Sequence, residues 1–191
     1  GLFACFLLYT GLRRGELLAL QWKDIDRQTK LLTVSKDVQY DTNTGHIKDR
    51  PKTEAGIRKI PIPDKLLDVL PTDKRSGSIF GGCKPLSASR FRKLWLDWCK
   101  ENGLAESQIR TFKGKNGKTY QHTVFLPKVT PHQFRHQYAT MLYEAGVDEL
   151  DTKNAMGHSS IVVTRDIYQH IKERTKKSAV ADKLNEYLKD K

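Results

Sequence analysis

The stretch Thr-Pro-His-Gln-Phe-Arg at residues 130–135 holds a helix start, a histidine and an arginine in one short segment. Thr130 can cap the helix, and Pro131 suits the first helical position, where a missing N–H does no harm. His132 and Arg135, three residues apart, then lie on one helix face near the positively polarised N-terminus, where an anion is favoured. The stretch therefore predicts a helix whose first turn suits a phosphate.

A tyrosine downstream of this helix is a candidate nucleophile. The segment Gly157–Tyr168 reads GHSSIVVTRDIY and places Tyr168 ten residues after His158. A tyrosine hydroxyl can attack a phosphodiester and form a covalent intermediate when preorganised cations hold the phosphate. Histidine, arginine and tyrosine in this order indicate phosphate chemistry, which we interpret as DNA strand transfer.

The charge balance of the chain favours a polyanionic partner. The 191 residues hold 34 Lys and Arg against 22 Asp and Glu, a formal net charge of +12. Nine basic and three acidic residues fall between positions 84 and 118, so half of the excess is local. Nucleic acid fits this balance better than an anionic membrane, because no long basic amphipathic helix or lipidation signal is visible. We expect no membrane partner.

Cysteine usage and the start of the chain set further bounds. Cys5, Cys83 and Cys99 form no CxxC pair, which argues against a disulfide framework and a zinc site and favours a reducing cytoplasm. The apolar run 2–9 is far shorter than the ~20 residues of a membrane span and predicts a buried helix. The chain starts at Gly1 within this run, so we expect further domains upstream.

Strand and turn signals occupy the middle of the chain. Residues 31–36, 46–50 and 57–62 are short runs separated by turn residues, and this spacing predicts a small antiparallel meander. The Asn-Gly pair at 116–117 predicts a β-hairpin over residues 109–125 with a type I′ turn.

Apolar spacing and cap signals predict the helices. Aromatic residues recur at helical intervals between positions 87 and 101, with basic residues between them. One predicted helix ends near Tyr9, and a second begins near Leu12. Further helices are predicted over Ser87–Glu101, Pro131–Ala145, Glu149–Met156, Ser160–Tyr168 and Lys172–Leu188.

Three other motifs fail on spacing or composition. The Gly-Lys-Thr at 117–119 would need a glycine five positions earlier to form a phosphate-binding loop, but that position is Phe112. His132 and His136 have the separation of a zinc-binding helix, yet Gln133 stands where a metallopeptidase has glutamate. No cluster of acidic residues supports two-metal nuclease chemistry. The sequence therefore predicts no metal site.

In this order, the motifs resemble those of a tyrosine recombinase catalytic domain, close to the integrases of phages and conjugative transposons. The resemblance covers about residues 10–171. TGLRRGEL at 10–17 resembles the first family box, WKDID at 22–26 resembles the segment that follows it, and PKTEAG at 51–56 resembles the hairpin that carries a lysine. The positions that match the family's catalytic residues are Arg13, Lys52, His132, Arg135, His158 and Tyr168.

The resemblance implies an α+β fold that is mainly helical, with a small antiparallel three-stranded sheet. The β-hairpin near residues 109–125 is an insertion relative to a minimal domain. Phe134 replaces a common leucine, and the interval from His158 to Tyr168 is one residue longer than in many members. We divide the chain into a catalytic domain, residues 1–171, and a helical tail, residues 172–191.

The resemblance also implies a reaction without metal or cofactor. Tyr168 attacks the DNA phosphate, and His132 takes or relays the phenol proton, which is needed because a free phenol has a pKa near 10. Lys52 protonates the departing 5′ oxygen. The resulting 3′-phosphotyrosine bond conserves the phosphodiester energy, so that a 5′ hydroxyl from another strand can rejoin the DNA.

The same resemblance assigns the stabilisation of charge. Arg13 and Arg135 meet the non-bridging oxygens with bidentate, permanently charged donors, and His158 adds a third donor. Loss of one such preorganised donor typically lowers a rate by on the order of 10²–10³.

The implied partner is double-stranded DNA, bound by a homotetramer during synapsis in the bacterial cytoplasm in association with the nucleoid. An excision factor is a further expected partner. The tail, which carries an apolar stripe of Val180, Leu184, Tyr187 and Leu188, is expected to dock on a neighbouring protomer. The residues expected to contact the DNA backbone are Arg90, Arg92, Lys93, Lys113 and Lys115.

Two other functions fit parts of the pattern. A type IB topoisomerase uses the same phosphotyrosine chemistry as a monomer, and a DNA-binding module without catalysis would need only the basic surface. The integrase-like boxes argue against the first, and the complete set of catalytic positions argues against the second.

Overall fold

The computed structural model describes residues 1–48, 57–73, 75–82, 84–113 and 117–189, and beyond residue 173 it describes the side chains of Asn185 and Leu188. The predicted features outside this description are Lys52, Cys83, Lys115, Asn116 and the side chains of Val180, Leu184 and Tyr187.

The described chain is a mixed α+β structure, which confirms the predicted fold class. Its helices are α1 (Leu2–Thr10), α2 (Arg14–Ala19), a 3-10 turn (Trp22–Asp24), α3 (Asp64–Leu67), α4 (Ala88–Glu101), α5 (Pro131–Glu144), α6 (Glu149–Met156) and α7 (Ile161–Lys189). Its strands are β1 (Ile25–Asp26), β2 (Leu31–Val34), β3 (Asp37–Asp41), β4 (Thr44–Lys48), β5 (Arg58–Pro61), β6 (Ala105–Lys113) and β7 (Thr119–Pro127).

The three-stranded antiparallel sheet has the order β1-β2-β5, so the predicted meander is wrong in its middle strand. β5 pairs directly with β2, with Leu32 opposite Ile60, while residues 44–48 pair with β3 in a separate hairpin. The physical reason is the burial pattern: β2 and β5 both bury alternate side chains, whereas β4 is largely exposed and polar. β5 therefore completes the sheet that covers the core.

The core lies between this sheet and the helices. Its fully buried side chains come from α1, α2, β2, β5, α3 and α4, and they include Phe6, Leu7, Leu17, Leu18, Leu32, Ile60 and Leu66. An aromatic cluster ties α4 to α5. Trp95 and Trp98 pack edge-on against Phe134, with ring centroids 5.5 and 5.9 Å apart, and the Trp95 indole donates to the Val129 carbonyl at 2.9 Å. Phe134 thus replaces the common leucine where two tryptophans offer a larger apolar surface.

The inserted hairpin is confirmed and is longer than predicted. Pairing runs from Ala105 opposite Pro127 to Lys113 opposite Thr119, and most of its side chains are exposed. The predicted turn at 116–117 includes Asn116, which lies outside the described residues.

The cap signals of α5 are also confirmed. Thr130 Oγ1 accepts from the Gln133 backbone N–H, and the Gln133 side chain accepts from the Thr130 backbone N–H at 2.7 Å. The predicted break before residue 172 is wrong, because α7 continues without interruption. No glycine or proline lies in residues 161–189, so no local signal ends the helix there. No helix in the described ranges has the length and apolar composition of a membrane span.

Candidate active site

Two arginines are held side by side by the carbonyls at the end of α6. Arg135 is only 4% exposed, and its terminal nitrogens donate to the carbonyls of Gly11, at 2.6 Å, and Met156, at 2.5 Å. Arg13 caps the start of α2, and its Nη2 donates to the Gly157 carbonyl at 3.1 Å. Helix C-terminal carbonyls carry partial negative charge, which stabilises two guanidinium groups at neighbouring positions. The Arg13 side chain remains 47% exposed and accessible to a ligand.

Two glycines make this close approach possible. Gly11 ends α1 and Gly157 ends α6, both in the left-handed region, with φ of 60° and 64°. A Cβ on Gly11 would lie 2.2 Å from the Tyr138 ring, and one on Gly157 would lie 2.8 Å from the Arg58 guanidinium. A larger residue at either position would therefore displace the Tyr138 ring or the Arg58 guanidinium.

A buried carboxylate links Arg13 to a third arginine. Glu16 Oε1 accepts from Arg13 Nη1 and Arg58 Nη1, both at 2.9 Å, and Oε2 accepts from Arg58 Nη2 at 2.9 Å and the Arg13 backbone N–H at 2.8 Å. Burial acts to raise the pKa of Glu16, but the hydrogen bonds and charges of Arg58 and Arg13 lower it overall. Arg135 is the third arginine of this cluster, beside Arg13 and Arg58. Together with the ionised Glu16, the three arginines give a formal charge of +2.

Arg135 keeps its charge despite its burial. Desolvation and the neighbouring Arg13 lower its pKa to about 9, which still leaves the guanidinium protonated at neutral pH.

Sequence analysis did not identify Arg58 as a site residue. A signal was present, because β5 alternates buried and exposed positions and Arg58 shares its inward face with Ile60. A charged residue in an apolar strand face requires a buried partner. That partner is Glu16, 42 residues earlier in the chain.

His158 lies directly after this cluster and is uncharged at neutral pH. It is 8% exposed, and its Nδ1 shares a hydrogen bond of 2.9 Å with Thr164 Oγ1. Burial, followed by the charges of Arg135 and Arg13, lowers the pKa of His158 to about 4. His158 can therefore serve as a neutral hydrogen-bond donor, and it adds no further positive charge.

His132 and Arg135 occupy different environments, although both come from the first turns of α5. The Arg135 guanidinium is buried, whereas His132 is exposed and packs its ring edge-on against His136, with centroids 4.5 Å apart. Burial and the charges of His132 and Arg135 lower the pKa of His136. The predicted common face thus divides into a buried cation and an exposed imidazole.

Tyr168 is withdrawn between α6 and the loop before it. Its hydroxyl donates to the Val147 carbonyl at 2.9 Å and shares a short hydrogen bond with Thr152 Oγ1. Thr164, which bonds to His158, lies one helical turn earlier on α7. In the described part of the chain, no recorded hydrogen bond or ring contact joins Tyr168 to His158 or to the two arginines at the end of α6.

The surroundings of Tyr168 also disfavour its phenolate form. Burial raises its pKa most, the carboxylates of Asp148 and Glu149 raise it further, and the bond to Thr152 opposes them. The hydroxyl is therefore in a protonated, hydrogen-bonded state, and the structure does not place it with the arginines.

The candidate DNA-binding residues lie on two separate elements. Arg90, Arg92 and Lys93 are exposed on α4, whose opposite face buries Phe91 and Trp95. Lys113 is exposed at the end of β6, on the inserted hairpin. Within the described ranges, no cluster of three or more His, Cys, Asp or Glu side chains could hold a metal ion.

The structure thus brings Arg13 and Arg135 to the carbonyls at the end of α6 and puts Tyr168 on the helix that follows. The chain belongs to the Phage integrase family, which it matches over residues 1–175.

Several curated proteins resemble the chain over most of its length. A tyrosine recombinase XerC-like protein of Caldanaerobacter subterraneus subsp. tengcongensis is 32% identical, with 93% of this chain and 47% of that protein covered. The ICEBs1 integrase of Bacillus subtilis is 29% identical, covering 94% and 46%. The transposase of transposon Tn916 from Enterococcus faecalis is 28% identical, covering 86% and 40%. The chain thus spans about half the length of the curated relatives it matches.

Solved structures agree with this assignment. The Tn1549 transposon integrase in complex with transposon right end DNA is 27% identical, with a TM-score of 0.61, over 87% of this chain and 52% of that chain. The catalytic domain of bacteriophage HP1 integrase, at 23% identity and a TM-score of 0.53, shares the fold over 95% of this chain and 80% of its own.

Proposed function

We propose that this chain is the catalytic domain of a site-specific DNA recombinase that moves a phage or a conjugative transposon. The observation that carries the proposal is the pair Arg13 and Arg135, held side by side by the end of α6, with Tyr168 on the next helix. The integrase and transposase names of its relatives support this reaction class.

The arginine cluster supplies the charge that phosphoryl transfer requires. A phosphodiester carries one negative charge, and more develops on its non-bridging oxygens as phosphorus becomes pentacoordinate. Arg13 and Arg135 offer fixed donors to this charge, and neutral His158 offers another. Because the donors are already bound to backbone carbonyls, they need little reorganisation when the substrate arrives.

Proton transfers complete the reaction. The Tyr168 oxygen bonds to phosphorus while the bond to the 5′ oxygen breaks, so that a 3′-phosphotyrosine forms. The phenol proton passes to His132, whose exposed ring can reach a bound substrate. Lys52, outside the described residues, is proposed to protonate the departing 5′ oxygen. Attack by a 5′ hydroxyl of another strand reverses these steps and rejoins the DNA.

In this proposal, the described conformation is a resting state, because the Tyr168 hydroxyl is bound away from the arginines. The hydroxyl must leave Val147 and Thr152 before it can attack phosphorus. Tyr168 lies on α7, whereas its two partners lie on α6 and the loop before it, so a shift of α7 relative to α6 would release the hydroxyl.

The proposed substrate is double-stranded DNA. The exposed basic side chains of α4, with Lys113 and Lys115 of the inserted hairpin, are proposed to contact its backbone, since phosphate contacts provide position and affinity. The proposed assembly is a homotetramer on DNA, with the tail 172–191 docked on a neighbouring protomer and an excision factor as a further partner. The proposed location is the bacterial cytoplasm, in association with the nucleoid.

The test is covalent trapping. The protein is incubated with a duplex that carries its recombination site and a nick next to the scissile phosphate, so that the cleaved fragment diffuses away. We expect a protein–DNA adduct that survives denaturation and disappears in Tyr168→Phe. An equal adduct from the variant would refute the role of Tyr168. Relaxation of supercoils without strand exchange by the full-length protein would favour a topoisomerase, and DNA binding without any adduct would favour a non-catalytic module.

A further inference from the structure

The Arg58 side chain connects three elements of the site, namely β5, α2 and α6. It projects inward from β5, with a side chain only 6% exposed. Its two terminal nitrogens bind both oxygens of Glu16 on α2, each at 2.9 Å, and its Nε donates to the Ala155 carbonyl of α6 at 2.8 Å. Each nitrogen of the planar guanidinium group therefore has a protein acceptor, with one edge on the carboxylate and its Nε on the helix end.

We propose that Arg58 is a positioning residue for DNA cleavage, which acts through Glu16 on Arg13 and through Ala155 on the segment that carries His158. The proposal rests on the proposed recombinase function. Arg58 itself does not touch the phosphate in this scheme, because both of its terminal nitrogens bind the Glu16 carboxylate, which repels a phosphate.

The path to Arg13 runs through a shared carboxylate. Each oxygen of Glu16 accepts one bond from Arg58 and one from Arg13. Arg58 thus sets the orientation of the carboxylate, and the carboxylate sets the position of the Arg13 guanidinium. A buried carboxylate that lost Arg58 would be costly unless it protonated or turned toward another cation.

The positive charge of Arg58 also affects Arg13 through Glu16. With Arg58 present, Glu16 is neutralised, and the charges of Arg13 and Arg135 remain for the phosphate. Without Arg58, the formal charge of the cluster falls from +2 to +1, and Glu16 competes with the DNA for Arg13. The expected consequence is slower cleavage of bound DNA, because stabilisation of the transition state depends on this charge.

The path to His158 runs through the end of α6. The Arg58 guanidinium packs against Gly157, where an added Cβ would lie 2.8 Å from Nη1. Met156 and Gly157, which follow Ala155, provide the carbonyls that hold the other two arginines. Arg58 therefore supports the backbone on which both phosphate-binding arginines rest.

A lysine could not replace this arrangement. An ammonium group is a point charge and cannot hold two carboxylate oxygens and a carbonyl in one plane, as the guanidinium of Arg58 does. The nearby exposed Lys59 on the same strand gives a matched control, because its substitution removes a positive charge from β5 without a contact to the site.

The experiment compares Arg58→Met, Arg58→Lys, Lys59→Met and the double variant Glu16→Gln with Arg58→Met. The measurements are the single-turnover rate of adduct formation on the nicked duplex and the Kd for the same DNA by fluorescence anisotropy. Circular dichroism establishes a temperature at which every variant is folded. We expect both Arg58 variants to cleave bound DNA about 10²-fold more slowly, with a Kd within about threefold of wild type because few phosphate contacts are lost.

The double variant separates the charge effect of Arg58 from simple stability. Removal of the carboxylate together with Arg58 frees Arg13 from an unbalanced partner, so the double variant should cleave at least about tenfold faster than Arg58→Met, a recovery worth about 1.4 kcal/mol. Cleavage by folded Arg58→Lys at the rate of Lys59→Met would overturn the proposal. If Arg58→Met does not fold, the comparison of Arg58→Lys with Lys59→Met decides. If the wild-type protein forms no adduct, the proposed function is overturned, and this proposal with it.

Discussion

The hydrogen bond between Thr152 and Tyr168 offers a direct test of the withdrawn nucleophile. Thr152 is fully buried, and its hydroxyl bonds to the phenol, whose second partner is the Val147 carbonyl. Thr152→Val keeps the shape of the side chain and removes one hydrogen bond. The phenol keeps its bond to Val147, so no buried donor is orphaned in the resting state.

The size of the effect follows from this geometry. A typical intramolecular hydrogen bond contributes about 0.5–1.5 kcal/mol net, and a loss of about 1 kcal/mol shifts an equilibrium about fivefold. The substitution destabilises the withdrawn conformation relative to the conformation that attacks. We therefore expect Thr152→Val to accelerate single-turnover adduct formation by roughly two- to tenfold, within the range that one such bond allows.

A second threonine on the facing helix supplies the matched control. Thr164 is also buried, but its hydroxyl bonds to His158 Nδ1 at 2.9 Å. Thr164→Val makes the same chemical change and should slow the reaction, because it releases the imidazole that is proposed to donate to the phosphate. If Thr152→Val is slower than wild type or unchanged, then cleavage does not involve release of Tyr168 from α6, and the reasoning fails.

Three further predictions concern other parts of the site. Arg135→Lys should lower the rate of adduct formation by on the order of 10²–10³, because lysine cannot span the carbonyls that hold Arg135; a rate near that of wild type would contradict this role. His158 has a pKa of about 4 in the fold against an ordinary 6.5, so the unfolded chain binds more protons between these values, and stability is lost as the pH falls from 6.5 toward 4. Urea unfolding at pH 7 and pH 4.5 should show a loss of about 2–3 kcal/mol from this group, which His158→Asn should lack; an identical pH dependence in both proteins would exclude it. Arg92→Gln should reduce the slope of log Kd against log salt by about 0.9 for a single phosphate contact, with the rate at saturating DNA unchanged; a rate loss would place Arg92 nearer the chemistry.

Local structure followed the sequence closely wherever the signal was local. The boundaries of α4, α5 and α6 agree with the predictions to within a residue or so, because caps and apolar spacing act over a few neighbouring positions. The inserted hairpin was recognised for the same reason. Predictions failed where no local signal existed: β5 was assigned to the wrong neighbour, and α7 was divided in two.

The candidate site shows the same division. The order of the motifs predicted Arg13, Arg135, His158 and Tyr168 as its members, and the family match confirms the resemblance from which that prediction came. Arg58 escaped notice because a strand arginine is informative only when its buried partner is known.

The amino-acid sequence by itself determined the helix starts, the inserted hairpin, the basic character and the family of this protein, since each depends on residue types at short spacings or in a fixed order. Tertiary structure alone decided which groups meet and in what state. It joined Arg13 to the end of α6 across 144 residues, left His158 uncharged, paired Arg58 with Glu16 and bound Tyr168 to Thr152. The reason is physical: burial and the charges of distant segments set the pKa and the partners of a side chain, and both arise only when the chain is packed.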